Sequence, residues 1–241
     1  MPQPPNLEVV FVDNHLLVLA KPAGMPTVPD ASLDESLFDL AKAWLKDEFQ
    51  KPGKVFLGVI QRLDRPVSGV VCFARTSKAA ARLTEAFGSQ VAHKTYLAIG
   101  AGAREPGAAT EGEVRQWLRK HRSKNYVTSF ATEPHESEGA KLAITRWRVL
   151  GVREVQGRPY TLYEFQPVTG RSHQLRLAAK ALGSPLLGDV KYARDLDALE
   201  DRSIALHAHR LTFEHPVKKE PVTFEVALPA RSWWMGWEAL G

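Results

Sequence analysis

At 241 residues the chain is long enough for one large domain, or a domain with a small appendage, and its 44% hydrophobic and 24% charged residues exclude a wholly disordered or fibrous protein. The formal net charge of +5 favours polyanionic partners through long-range attraction and counterion release, without identifying one. Cys72 is the only cysteine, which excludes an internal disulfide and a cysteine-rich zinc site and fits a reducing cytoplasm; no secretory signal pattern opens the chain and no apolar run approaches the ~18 residues of a membrane span, so a soluble protein is expected.

Met1 to Asn6 reads as a flexible, proline-rich tail. Leu7 to Val12 and Leu16 to Ala20 are apolar, β-branched runs separated by Asp13-Asn14-His15, which predicts two strands and a turn. Lys21-Pro22-Ala23-Gly24-Met25-Pro26 breaks the pattern, and Leu33, Leu37, Leu40, Trp44 and Leu45 recur at helical spacing, predicting an amphipathic helix over 33–49. Val55 to Ile60 leads into Gln61-Arg62-Leu63-Asp64-Arg65-Pro66, a loop before a buried strand over Gly69 to Ala74. A helix is predicted over Ser77 to Phe87, with Ser77 as its N-cap and Gly88 as its terminator, and a strand over His93 to Ile99.

From Gly100 to Ala140 apolar residues are few, so loops and short hairpins are expected. Leu142 to Val152 and Tyr160 to Val168 read as strands, Ser172 to Leu182 as a helix ended by Gly183, and His207 to Phe213 and Val222 to Leu228 as closing strands. Trp233, Trp234 and Trp237 are expected to pack a terminal helix on the core rather than to form a stacking platform. The order is α+β, with no linker long enough to force two domains.

Three stretches concentrate chemistry. In the first, Asp64 is flanked by Arg62 and Arg65 on a loop, where an adjacent cation favours the ionised carboxylate of a nucleophile or base; a structural ion pair accounts for the same residues. In the second, Gly170-Arg171-Ser172-His173-Gln174-Leu175-Arg176 passes from a strand into a helix. His173 and Arg176, three apart, share a helical face, and with Arg171 they suit a phosphate or a buried carboxylate; solvent-facing helix charges fit equally. The third, His93 to Gly100, carries Lys94, Tyr96 and Ala98 on one strand face, where core packing is the simpler reading of the tyrosine.

Taken together and in order, Lys21-Pro22-Ala23-Gly24, Arg62-Leu63-Asp64, Ser68-Gly69, Lys94-Thr95-Tyr96, Gly170 to Arg176, Gly188-Asp189 and Leu206-His207-Ala208 resemble the RluA-type pseudouridine synthases of ribosomal and transfer RNA, from about Val9 to Leu228. The resemblance implies a single catalytic domain over 7–241, built on a mixed, mainly antiparallel central sheet flanked by helices and loops, with no separate S4-type domain. It further implies isomerisation of uridine to pseudouridine in structured RNA, with no cofactor, no metal and no obligate protein partner. By position, Asp64 matches the catalytic aspartate, Tyr96 the tyrosine that stacks on the target base, and Arg176 the arginine that pairs with the aspartate. Leu175 matches the apolar wall of the uracil pocket, and Arg62 a residue that helps displace the target nucleotide; Arg171 and His173 complete the expected substrate contacts. The sequence departs from the family pattern at Gln61, where histidine is usual, at Val67, where threonine is usual, and after Arg176, where Leu177-Ala178 replaces a frequent histidine.

Isomerising uridine breaks the C1′–N1 bond, turns the uracil and joins C5 to C1′, consuming neither water nor electrons. One ionised carboxylate therefore suffices, where a hydrolytic glycosidase typically pairs two. The target nucleotide must leave its stack, at a cost of a few kcal/mol met by contacts to phosphates and the extruded base. Arg119-Lys120-His121-Arg122-Ser123-Lys124-Asn125-Tyr126 is a candidate RNA contact, with a solvated loop as the plain alternative. The rival function is a catalytically silent RNA-binding protein of the same fold; a nucleoside hydrolase releasing free uracil is a third.

Overall fold

The computed structural model describes residues 7–102, 107–121, 125–134, 139–193 and 195–237. It divides into two compact units, one of residues 1–94 and 207–229, the other of residues 95–206 and 230–241.

The first unit is built around two wholly buried strands. Strands β1 (Glu8–Val12) and β2 (Leu16–Lys21) form an antiparallel hairpin, and β2 pairs antiparallel with β4 (Ser68–Ala74). Every residue of β2 and β4 is buried, the signature of strands covered on both faces. Helix α1 (Leu37–Glu48) buries Leu37, Leu40, Ala41 and Leu45, and its Phe38 ring meets Phe73 of β4 edge-on at 6.1 Å. The helix begins at Leu37, not Leu33, because Ser36 caps it by accepting from the Asp39 amide; Leu33 is 93% exposed with φ +62°. Helix α2 (Ser77–Gly88) packs on β4, and its N-cap is Thr76, one residue before the expected Ser77, because the Thr76 hydroxyl accepts from the Ala79 amide.

Strand β3 is reduced to Gly58–Val59 and lies antiparallel to the end of β4. At its start β4 pairs in parallel with β10 (Leu206–Glu214), through His207↔Ser68 and Ala208↔Gly69, and β10 pairs antiparallel with β11 (Pro221–Glu225).

The second unit holds the strand order β5 (His93–Ala101), β9 (Arg158–Pro167), β8 (Ala140–Val155), β6 (Glu111–Lys120), β7 (Val127–Phe130), all antiparallel. Between Gly100 and Ala140, where loops and short hairpins are expected, β6 and β7 form a hairpin whose first strand is ten residues long. The inward residues of β6, Gln116 and Leu118, alternate with Arg115, Trp117 and Arg119, so polar outward positions dilute the apolar signal. Helix α3 (Gln174–Ala181) packs on β6, β8 and β9, closing a core of Leu118, Val127, Ala143, Leu177 and Tyr192. Trp234 and Trp237 are buried as expected, but in a turn rather than a terminal helix, with the Arg153 guanidinium 5.1 Å from the Trp237 ring.

Across both units the architecture is α+β on mixed, mainly antiparallel strands. Among the described residues no helix is long and apolar enough to cross a membrane. Met1 to Asn6, and Arg122, Ser123 and Lys124 of the basic stretch, lie outside the described residues.

Candidate active site

Asp64 stands on the loop between β3 and β4, partly exposed, with Arg62 exposed beside it. The loop is tied down from the opposite strand by the Lys21-Pro22-Ala23-Gly24 segment. Lys21, 2% exposed, donates from Nζ to the carbonyls of Pro22 (2.9 Å), Met25 (2.7 Å) and Arg65 (3.1 Å). The Gly24 amide donates to the same Arg65 carbonyl at 2.8 Å, and Gly24 reaches that position with φ +87°. Thr27 clamps the other side: its hydroxyl donates to the Leu63 carbonyl (2.9 Å) and accepts from the Leu63 amide (3.1 Å). The carboxylate is thus carried by a loop whose flanking backbone is held on both sides.

The electrostatics differ from the expectation in one respect. Arg65 turns away from its neighbour in sequence and ion-pairs with Asp34 at 2.5 Å and Asp30 at 3.3 Å, with Ser32 also accepting from it. Lys21 lies close enough for its charge and that of Asp64 to interact. Burial pushes the Lys21 ammonium down to about 7, the Asp64 charge opposes that shift, and Arg65 adds to it. Lys21 opens the Lys21-Pro22-Ala23-Gly24 motif, and nothing in local sequence brings it near Asp64, 43 residues on.

Two of the three departures from the family pattern, Gln61 and Val67, are absorbed structurally. Gln61 donates from Nε2 to the Val70 carbonyl at 3.1 Å, and Val67 is 3% exposed, its amide closing a turn onto the Asp64 carbonyl at 3.0 Å. Behind the loop, two motifs far apart in sequence interlock. His207 Nε2 donates to the Val226 carbonyl (3.0 Å), which leaves Nδ1 to accept from the Ser68 hydroxyl (2.9 Å). Burial lowers the His207 pKa to about 4, with the Val226 bond opposing and the nearby His209 charge adding to it.

The second unit carries Tyr96, Arg171, His173, Leu175 and Arg176. Tyr96 is partly exposed on β5 and pairs with Phe165 of β9. Arg176 is buried on α3 and grips Asp189 in two parallel bonds, Nε to Oδ2 at 2.8 Å and Nη2 to Oδ1 at 2.6 Å, with side chains 6% and 1% exposed. The buried-carboxylate reading of this arginine therefore has a partner in Asp189, the acidic residue of the Gly188-Asp189 motif. Gly188 sits at φ +82°, where a Cβ would lie 2.6 Å from the Ser203 carbonyl.

His173 is not a solvent-facing helix charge. It is 7% exposed, left-handed (φ +55°), and its Nδ1 is hydrogen-bonded at 2.5 Å to the Tyr192 hydroxyl, which also accepts from the Val127 amide. Tyr192 also places its ring 5.0 Å from the Arg176 guanidinium, and burial raises its pKa to about 12. Sequence reading passed over Tyr192 and Gln174. The Gln174 amide, 4% exposed, satisfies all four of its bonds: it accepts from Thr169 (2.8 Å) and the Arg171 amide (3.0 Å), and donates to the Ile144 carbonyl (2.9 Å) and Thr145 (3.0 Å). This pins the turn before α3 to β8. Leu175 is 7% exposed, and Arg171 is exposed, its Nε donating to the Leu142 carbonyl at 3.1 Å.

Comparison with known proteins identifies the family. The RNA pseudouridylate synthase family profile matches residues 15–181. The dual-specificity RNA pseudouridine synthase RluA of Haemophilus influenzae is 32% identical over 226 residues, covering 92% of this chain and 94% of that one. The ribosomal large subunit pseudouridine synthase C of Rickettsia bellii is 32% identical over 92% of this chain and 68% of its own. Among solved structures, human RNA pseudouridylate synthase domain containing 4 shares the fold with a TM-score of 0.71 at 24% identity, over 92% of this chain and 89% of that one. Fold and sequence define an RNA-modifying isomerase: the chain belongs to the RNA pseudouridylate synthase family. It is a pseudouridine synthase, with curated relatives of the RluA, RluC and RluD kinds.

Proposed function

We propose that this synthase isomerises uridine in structured ribosomal or transfer RNA, with Asp64 as the essential carboxylate. The observation that carries the assignment is the loop itself. A partly exposed carboxylate rides between backbone segments fixed by Lys21, Gly24 and Thr27, in a chain whose relatives are named as ribosomal large subunit and dual-specificity RNA pseudouridine synthases. Preorganisation of this kind holds a reacting group in place without reorganisation during the reaction.

The family resemblance assigns the remaining roles. Tyr96 stacks on the uracil and relays the proton lost from C5, Arg176 supports the ionised aspartate, Leu175 walls the base, and Arg62, Arg171 and His173 contact the displaced nucleotide and its phosphates. The buried Cys72, whose thiol pKa burial raises, and an RNA substrate both fit a cytoplasmic setting.

The test is tritium release from C5-labelled uridine in total RNA from cells lacking the protein. Wild type is expected to release tritium and Asp64→Asn to release none while still binding RNA. Release by the Asn variant removes Asp64 from the chemistry, and no release by wild type favours a silent RNA-binding protein.

A further inference from the structure

The second unit has a sheet face that α3 does not cover. On β6, Gln116 and Leu118 turn toward α3, Gln116 reaching the Leu177 carbonyl, so Arg115, Trp117 and Arg119 project the opposite way. Register places Trp117 between Phe130 of β7 and Leu142 of β8, making one apolar row of three side chains across the sheet. All three are partly exposed. Arg115, beside Ile144, flanks the row on one side, and Arg119, beside Thr128, flanks it on the other. The Arg119 guanidinium lies 5.2 Å from the Phe130 ring centroid, and among the described residues no carboxylate forms an ion pair with it. At the end of the row Arg171 crosses the β8 edge to reach the Leu142 carbonyl.

The adjoining half of the same face has a different composition. There Glu113 binds Arg115 (2.7 Å) and Arg146 (3.7 Å), Arg148 binds Glu164 (3.3 Å), and with Glu111 in register with Arg148 the three acidic and three basic charges cancel. An anionic chain gains nothing by lying over that half. Over the other half it meets flat aromatic surface beside the Arg119 and Arg171 guanidinium groups, the combination that seats unpaired bases and their phosphates.

We propose that the Leu142–Trp117–Phe130 row is a binding surface for a single-stranded segment of RNA, a base stacking on Trp117 and phosphates resting on Arg119 and Arg171. The inference rests on the reading of this chain as an RNA enzyme and deepens it, adding a contact made by folded sheet rather than by the aspartate loop.

The experiment measures anisotropy of a fluorescein-labelled twelve-nucleotide oligouridylate across a salt series, with the full chain. Trp117→Ala is expected to weaken binding roughly tenfold and Trp117→Phe to recover most of it. Arg119→Gln with Arg171→Gln should reduce the slope of log affinity against log salt by about 1.4, two single-strand phosphate contacts at ~0.7 each. Arg148→Gln with Glu164→Gln, on the cancelled half and away from the row, should change neither quantity. Wild-type affinity and slope in the arginine pair, or an equal loss in the control pair, overturns the surface. Should Trp117→Ala fail to fold, the exposed arginine pair decides alone. Light scattering at the same concentration must show monomer; a dimer dispersed by Trp117→Phe or the arginine pair assigns the row to a second copy and overturns the proposal. Wild-type protein that neither binds the oligonucleotide nor releases tritium fails the RNA-enzyme reading, whereas binding that all the variants retain fails this surface only.

Discussion

Lys21 donates to the carbonyl of Arg65, 44 residues later and one position past Asp64, and in doing so fixes the loop that carries the carboxylate. Removing the ammonium in Lys21→Met takes a donor from the Pro22 and Met25 carbonyls, each worth ~1–3 kcal/mol when buried unsatisfied, while the Arg65 carbonyl keeps the Gly24 amide; it also removes the cost of burying a charge. A net loss of about 2 kcal/mol is expected, read from the urea midpoint at unchanged slope. With the folded pKa near 7 and the unfolded one near 10.5, the unfolded chain binds the extra proton between those values, so this group makes stability rise with pH there. The methionine variant should lose that rise; a variant as stable as wild type at pH 7 with the rise intact contradicts the role.

Gly69 is expected to tolerate no side chain. Its φ is +120°, and a Cβ would lie 2.2 Å from the Ala208 carbonyl oxygen and 2.5 Å from its amide nitrogen, at the parallel junction of β4 and β10. Gly69→Ala should cost more than about 3 kcal/mol, or prevent folding, while Gly53→Ala, with open space around it, should change stability by no more than about 1 kcal/mol. Thermal unfolding of both variants checks the contrast.

His207 predicts an acid-side transition. Its folded pKa is about 4 against an unfolded 6.5, so below pH 6.5 the unfolded chain binds a proton that the folded chain refuses. Stability should fall as pH drops from 6.5 toward 4, by roughly 3 kcal/mol in all, and His207→Gln should flatten that segment. Asp13 acts lower on the scale. Its burial is outweighed by hydrogen bonds from the His15 and Leu16 amides and from His215, so its contribution is lost only as pH falls below about 3.8. Urea unfolding at half-unit pH steps distinguishes the two; an unchanged slope between 4 and 6.5 in His207→Gln contradicts the assignment.

The Arg176–Asp189 pair separates stability from chemistry. Asp189→Asn should cost about 3–5 kcal/mol by removing the buried carboxylate that Arg176 grips in two bonds. Arg176→Met with Asp189→Leu should recover most of that loss, because an apolar pair of similar volume carries no desolvation penalty. Tritium release should remain lost in the recovered double variant. Activity in that variant removes Arg176 from the proposed catalytic set.

Local pattern alone located much of this protein. The all-apolar runs of β2 and β4, the spacing of α1 and α2, and the strand-to-helix passage before α3 follow from side-chain periodicity and capping chemistry, which act over a few residues. The ordered motifs pointed to the family, and Asp64 stood out as a carboxylate on a loop between apolar segments. Where the outward face is polar, as on β6, alternation is masked and a strand reads as loop. The two compact units were not legible because their boundaries fall inside β5 and β10, leaving no linker to mark them.

Partner choice belonged to the tertiary structure. Sequence set Arg65 beside Asp64, yet the fold gives Arg65 to Asp30 and Asp34 and brings the charge of Lys21 to bear on Asp64; it gives Arg176 to Asp189 and His173 to Tyr192. Ion pairs and hydrogen bonds are decided by which groups arrive within about 3 Å after the chain has folded, and at that range a neighbour in sequence has no advantage over a residue many positions away.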